Sequence, residues 1–375
     1  MKRKHSISEN TLLDLLKVSL WETSPSVDYS AFSNAEWLNV YHLAGKQGVR
    51  ALAFGGISRL PLEIRLDAKL SLTWMVNSML TKQRYLRNLN IAIQLNDLCK
   101  SEGMNMILLK GCALANCYPI PEYREYGDID IYLSGKHTQG NHLLKRQGIE
   151  IKETEKHTTF MFRGVPVENH ITFIDQIKDT DVFCRKRKRA FERVEKVLQE
   201  ILNEEKINKL ARYDIKIPSA TFNFLFMVMH TGTHLGSELV LRHICDWACF
   251  LAANKGHYDE RRIEQVLNLM NFRKLCLMMT DAAIHQIGMP VEFAPSFYKS
   301  GARDRIHEKF IDSLFFHFPG AAEVEQNTLS CKWQRFYYNQ WAYDLFYKEY
   351  LPERLCRTAV VWFKEKCNKI TLNKN

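Results

Sequence analysis

Asp128-Ile129-Asp130-Ile131-Tyr132-Leu133 alternates polar and apolar residues with period two, the pattern of a strand with one charged face and one buried face. On such a strand Asp128 and Asp130 project from the same side, with Cα atoms about 6.5–7 Å apart. Ile129 and Ile131 fill the other side. Two carboxylates held this close repel unless a cation sits between them. A hard divalent ion suits the pair, because it takes a few carboxylates together with phosphate oxygens and water. The alternative for a bare D-x-D is a solvated strand face, so the neighbouring segments decide.

Upstream, Met106 to Leu109 reads as a short strand running into Lys110-Gly111, and Cys112 to Tyr118 as a short helix. A strand, a glycine and a helix start together offer backbone N–H groups to a phosphate. Gly111 lets the backbone approach closely, and Lys110 adds a point charge. The Walker A pattern is absent. Downstream, His137 to Arg146 reads as a helix closed by Gly148. Residues 149–154, 158–162 and 165–174 read as three strands, with Arg163-Gly164 as a hairpin turn. Glu168 lies on the last of these, and His170 shares its face. Three carboxylates on adjacent strands are what two-metal phosphoryl chemistry uses.

The remainder reads as helical. Ser6 and Glu9 form a capping box ahead of a leucine-rich helix over 6–21. Residues 35–103 continue mostly helical, and Met79, Leu86, Leu89 and Ile93 predict one long helix over 75–99. A charged helix is expected over 181–210, an apolar one capped by Ser219, and others over 238–254, 259–287 and 323–366. The expected fold class is α+β: a small mixed-sheet module flanked by N-terminal and C-terminal helical regions. The expected divisions are 1–74, 75–180 and 181–375.

Composition sets outer limits. The chain has 375 residues, 46% apolar and 25% charged, with 17 Gly and 10 Pro, which excludes fibrous and disordered classes. No run approaches the roughly 18–20 apolar residues of a membrane span. The basic start lacks the apolar stretch of a secretory signal, so a soluble, cytoplasmic protein is expected. Ten scattered cysteines without C-x-x-C predict reduced thiols. The net charge of +10 favours an anionic partner such as a nucleotide or nucleic acid.

Leu108 to Leu114 and Arg124 to Asp130 together resemble the L-L-K-G-x-A-L and R-x-x-x-D-I-D segments of a branch of bacterial nucleotidyltransferases with the DNA polymerase β-like fold. His230-Thr231-Gly232-Thr233-His234 and Arg242 to Asp246 resemble the branch's histidine-bearing helix and R-x-x-x-D helix. The resemblance covers roughly residues 75–255. It implies a Mg²⁺-dependent transfer of a nucleotidyl group from an NTP, with ATP the first expectation, to an unidentified acceptor; Mn²⁺ is an alternative ion. Asp128, Asp130 and Glu168 would be the catalytic acids and metal ligands, and Lys110, Gly111 and Arg124 the nucleotide-binding residues. His170, His234 and Arg242 would be substrate contacts. Lys110 stands where the wider superfamily has glycine, and Cys112 where Ser or Thr often binds phosphate. A decayed nucleotide sensor or partner-binding protein is therefore an alternative, and a D-x-D glycosyltransferase is another.

Other features have two readings each. His230 and His234 stand i, i+4, as metal ligands, a polar cleft wall or packing residues, although Gly232 is expected to interrupt the helix. Arg242 and Asp246 are expected to pair along one helix. Arg185 to Arg189 is a basic run that meets RNA phosphates or forms a solvated face. Trp333, Tyr337, Trp341 and Leu345 form a stripe facing a core or a partner.

Overall fold

The computed structural model describes residues 5–315 apart from 31, 62–63, 65, 174–184, 206, 211–212, 236–238 and 302–303, together with 341, 342 and 345. The helix expected over 323–366 lies outside the described residues except at these last three positions, as do Trp333 and Tyr337. The side chains of Arg185 to Lys188 are likewise outside them.

Helix α1 (Ile7–Trp21) begins as its sequence requires. Ser6 Oγ accepts from Glu9 N at 3.2 Å and Glu9 Oε2 accepts from Ser6 N at 2.9 Å. Ser33 and Glu36 repeat that box at the start of α2 (Asn34–Lys46). Helix α3 (Arg50–Ile57) packs so closely on α1 that a Cβ on Gly56 would lie 2.2 Å from Leu15 O. Helix α4 (Ala68–Ser101) runs longer than predicted, because Asp67 accepts from Leu70 N and starts it early.

The sheet follows. Strand β1 (Ile107–Leu108) leads through α5 (Lys110–Ala115) and a 3₁₀ turn at Pro121–Tyr123 to β2 (Ile129–Tyr132). Helix α6 (His137–Arg146) then connects to β3 (Ile151–Glu153), β4 (His157–Phe162) and β5 (Val165–His170). Arg163 and Gly164 both have positive φ, 50° and 76°, as a tight hairpin turn demands. After α7 (Arg185–Glu204) come β6 (Asn208–Lys209) and β7 (Lys216–Ile217). These two-residue strands were not predicted, and the charged helix ends before them rather than at Leu210. They are too short to show a period in sequence; β7 is defined by parallel pairing with β1.

The strand order is β3-β4-β5-β2-β1-β7-β6, and the sheet is mixed: β2 runs parallel to β5 and antiparallel to β1. Its two faces have different company. Ile129, Ile131, Phe160 and Val167 belong to a core with Leu89, Ala92 and Leu95 of α4 and Leu143 and Leu144 of α6. Tyr132 faces the other way, towards Phe173 and Phe222. At about 1.5–3 kcal/mol per large buried apolar side chain, this burial fixes which face the acids occupy.

The C-terminal helices are α8 (Ala220–His234), α9 (Leu241–Ala253), α10 (Glu260–Leu269), α11 (Arg273–His285) and α12 (Arg305–Ser313). Ser219 Oγ accepts from Phe222 N at 3.1 Å and caps α8 as expected. Helix α8 continues through Gly232 to His234 without the predicted interruption, since neighbours on both sides hold the glycine in the ladder. The helix read over 259–287 is two, broken where Asn271 takes a φ of 58°. Leu12, Leu15, Trp37 and Val49 share one core with Phe222, Trp247, Met278, Trp341 and Leu345. The helices before residue 75 and those after 185 are thus packed together, and Trp341 and Leu345 face that core. Cys99, Cys112, Cys117, Cys245, Cys249 and Cys276 are unpaired thiols. Among the described residues no helix is long and apolar enough to cross a membrane.

Candidate functional site

The parallel pairing of β2 with β5 sets Asp130 directly opposite Glu168 and Tyr132 opposite His170. Asp128 immediately precedes β2, two residues before Asp130. Asp130, Glu168 and His170 each offer a ligand atom within 4.8 Å of the others. A cavity of about 610 Å³ along β3, β4 and β5 has Asp128, Lys152, Thr159 and Glu168 in its lining. The strand geometry therefore brings together the three acids and His170, which lie up to forty-two positions apart in the chain (128 to 170).

Lys110 joins them from the β1–α5 turn, with Nζ 3.3 Å from Asp130 Oδ1. Its φ of 21° and the φ and ψ of Gly111, 42° and −117°, keep this turn in backbone territory that favours glycine. Lys110 thus carries a side chain where the local conformation would prefer none. Helix α5 is a single short turn.

His170 Nε2 lies 2.8 Å from Asp130 Oδ1 and Nδ1 lies 3.2 Å from Thr172 O. Both partners are acceptors, so the two bonds form together only when both ring nitrogens carry protons. Burial by itself would raise the Asp130 carboxyl, but Lys110 and His170 overcome it and hold the group well below the usual carboxylate range. Asp128 goes the other way: burial and the charge of Asp130 raise it, against Lys110. Neighbouring carboxylates with opposed shifts of this kind are a candidate functional feature. On Glu168, Oε2 lies 3.6 Å from His157 Nδ1 and 3.7 Å from His170 Nε2. His157 had no signal of its own in the sequence; only the pairing of β4 with β5 brings it opposite His170.

The donor set fits a divalent metal. Asp130 and Glu168 offer the carboxylate oxygens that hard cations take, within 4.8 Å of His170, and Asp128 stands two residues before Asp130. His170 serves as a hydrogen-bond donor to one of them.

Arg124 has a different place from the one expected. It is buried, with Nε 2.7 Å from Asp246 Oδ1 and Nη2 2.9 Å from Asp246 Oδ2. Its Nη1 donates to Gly111 O at 3.2 Å, and Tyr118 Oη donates to Asp246 Oδ1 at 2.5 Å. The guanidinium is committed to this clasp, which ties the Gly111 turn to α9, rather than aimed at a phosphate. Asp246 accordingly bridges to Arg124 across the fold, while Arg242 donates to Glu125 O at 2.9 Å. The expected Arg242–Asp246 helix pair gives way because the planar fork of Arg124 reaches both carboxylate oxygens at once. Cys112 is buried with Sγ 2.8 Å from Tyr126 Oη, and burial pushes its thiol up to about 11. His234 ends α8, half-buried, with its ring 4.6 Å from that of His230 and 4.8 Å from that of His243.

Residues 33–286 match the family described as "Uncharacterised nucleotidyltransferase", from the cap of α2 to the residue after α11. The chain belongs to this nucleotidyltransferase family. No curated protein and no solved structure matches it. The matched span of the nucleotidyltransferase includes the sheet, the acids, the Lys110 turn and the Arg124–Asp246 clasp.

Proposed function

We propose that this nucleotidyltransferase moves a nucleotidyl group from an NTP, ATP first among them, to a hydroxyl or similar acceptor, with Mg²⁺ held by Asp128, Asp130 and Glu168. The observation that carries the reading is the register of β2 and β5, which sets Asp130 across from Glu168 with Asp128 alongside. Bound there, Mg²⁺ would neutralise charge on the transferring phosphate and lower the acceptor's pKa. His170 orients Asp130 through its 2.8 Å bond. The turn at Lys110-Gly111 meets the phosphates, and the 610 Å³ cavity beside Asp128 and Glu168 is of a size usual for small-molecule sites. In this reading the superfamily is that of DNA polymerase β, residues 75–180 form the nucleotide-binding unit, and the helices of 181–375 select the acceptor. His234 and Arg242 belong to that acceptor side. The unpaired thiols suit a reducing, cytoplasmic setting.

A second reading is favoured by the Lys110–Asp130 pair: a cation of the protein's own stands 3.3 Å from an acid that a metal would use. A nucleotide sensor without transfer activity would keep such a contact.

One titration series tests both. Binding of each NTP with Mg²⁺ is measured calorimetrically for the wild type and for Asp128→Ala/Asp130→Ala, followed by transfer of labelled nucleotide to candidate acceptors. Metal-dependent binding lost in the variant, with transfer, supports the enzyme; the same binding without transfer supports the sensor. No binding of any NTP by the folded wild type sinks both.

A further inference from the structure

Three imidazoles meet at the junction of α8 and α9, and none of them is among the metal ligands proposed above. His230 and His234 occupy the last turns of α8, four residues apart on one face. His243 enters from the first turn of α9, on the far side of the 235–240 connection. One ligand atom from each lies within 4.8 Å of the other two. The rings meet at centroid distances of 4.6, 4.8 and 6.1 Å.

We propose that His230, His234 and His243 form a second cation site, a three-imidazole cradle for one divalent ion of the zinc class, separate from the Asp128–Asp130–Glu168 group. Three nitrogen donors without a carboxylate suit zinc and its transition-metal neighbours and disfavour Mg²⁺, which takes oxygen. Zinc with three protein ligands keeps a fourth position for water or a substrate oxygen.

His230 and His243 are each disposed for the role. Among the described residues no hydrogen bond reaches the His230 ring, although it is half-buried. His243 Nδ1 lies 3.2 Å from Val240 N and 3.3 Å from Val240 O, so this nitrogen faces the backbone; in the tautomer that donates to Val240 O, Nε2 keeps its lone pair for a metal. Zinc–nitrogen bonds of about 2.0–2.1 Å in tetrahedral array put the nitrogens about 3.3 Å apart. The present spread is up to 4.8 Å, so loading the site requires the rings to draw together by about 1.5 Å.

The place gives the ion a consequence. The Phe226 ring lies 6.2 Å from that of His230 and 5.4 Å from Lys110 Nζ, so the cradle borders the acid cluster. One turn beyond His243, α9 carries Asp246, which anchors Arg124 and through it Gly111 O. An ion here staples α8 to α9 behind the Lys110-Gly111 turn. The assignment stands whether or not the neighbouring acids transfer nucleotides.

The test uses tag-free, full-length protein stripped with a chelator, then titrated with Zn²⁺ alone or Co²⁺ alone. The expected result is one tight equivalent that is kept in Asp128→Asn/Asp130→Asn, tetrahedral Co²⁺ visible bands, and a Tm that rises with Zn²⁺ concentration, any weaker equivalent being lost with the acids. X-ray absorption of the zinc-loaded wild type should show imidazole scattering at about 2.0–2.1 Å. His243→Gln and His234→Gln should each weaken the tight binding at least tenfold, while Asp128→Asn/Asp130→Asn retains it. The spectra of the wild type decide the matter even if a histidine variant does not fold. No stoichiometric binding, a purely oxygen ligand shell, or binding lost in the acid variant and kept in the histidine variants would overturn the proposal.

Discussion

Asp246→Asn removes one charge from a buried ion pair next to the candidate site. Arg124 and Asp246 are 6% and 7% exposed at their side chains and meet through two bonds of 2.7 and 2.9 Å. Tyr118 adds a third bond to the same carboxylate. Breaking one side of a buried pair costs about 3–5 kcal/mol, because the remaining charge is stranded away from water. An asparagine oxygen still accepts one bond, which puts the variant near the lower end, about 3 kcal/mol. For a chain of at least 150–250 residues, about 2 °C per kcal/mol gives a Tm lower by about 6 °C. Arg124→Met should cost a similar amount. Arg124→Met/Asp246→Leu should recover most of the loss, since both charges leave together and apolar groups take their volume. Thermal and urea unfolding of the wild type, both single variants and both double variants, Arg124→Met/Asp246→Asn included, supply the cycle. A loss under about 1 kcal/mol in Asp246→Asn would refute the reasoning, as would single losses that simply add in Arg124→Met/Asp246→Asn.

Three further outcomes follow from the same geometry. Asp130 has a folded pKa below its unfolded value of about 3.9, so its ionised form contributes stability that is complete above that value and lost as pH falls through the folded pKa. Urea unfolding should therefore show the gap between wild type and Asp130→Asn widest above about pH 5 and narrowing below about pH 4. Gly111→Ala meets no close atom, its Cβ lying 3.5 Å from Asp128 O, but forces a φ of 42° with ψ of −117° on an L-residue. It should lower stability by about 1–3 kcal/mol in the same assay, and an unchanged Tm would show that the turn relaxes. Gly56→Ala drives a methyl to 2.2 Å from Leu15 O, a backbone atom that can move only with α1. Denaturation should show a loss of about 1–3 kcal/mol or more, and a neutral result would mean that α1 and α3 are not so closely seated.

Local patterns carried much of the fold. Ser6 and Glu9, and Ser219, act on backbone within three residues, and such contacts are visible in a linear chain. The alternation of Asp128 to Leu133 was equally legible, because period two needs only neighbours. Strands β6 and β7 were not, being two residues long and defined by their partners. Gly232 looked like a break because intrinsic propensity is a weak term, and the packed core around Phe222 to Met229 outweighs it.

For the site, sequence alone determined that Asp130 lies on the polar face of one strand with Asp128 two residues before it, and that a third acid and a histidine stand on a later strand. That follows from side-chain direction, which the backbone period fixes without reference to anything distant. Tertiary structure decided the pairings: Asp130 opposite Glu168, Lys110 on Asp130, Arg124 on Asp246 instead of a phosphate, and His243 beside His230 and His234. Arg124 and Asp246 are separated by 122 residues, and their bond exists because burial leaves each charge no water to prefer. Periodicity tells which way a residue faces; only the packed chain supplies what it faces.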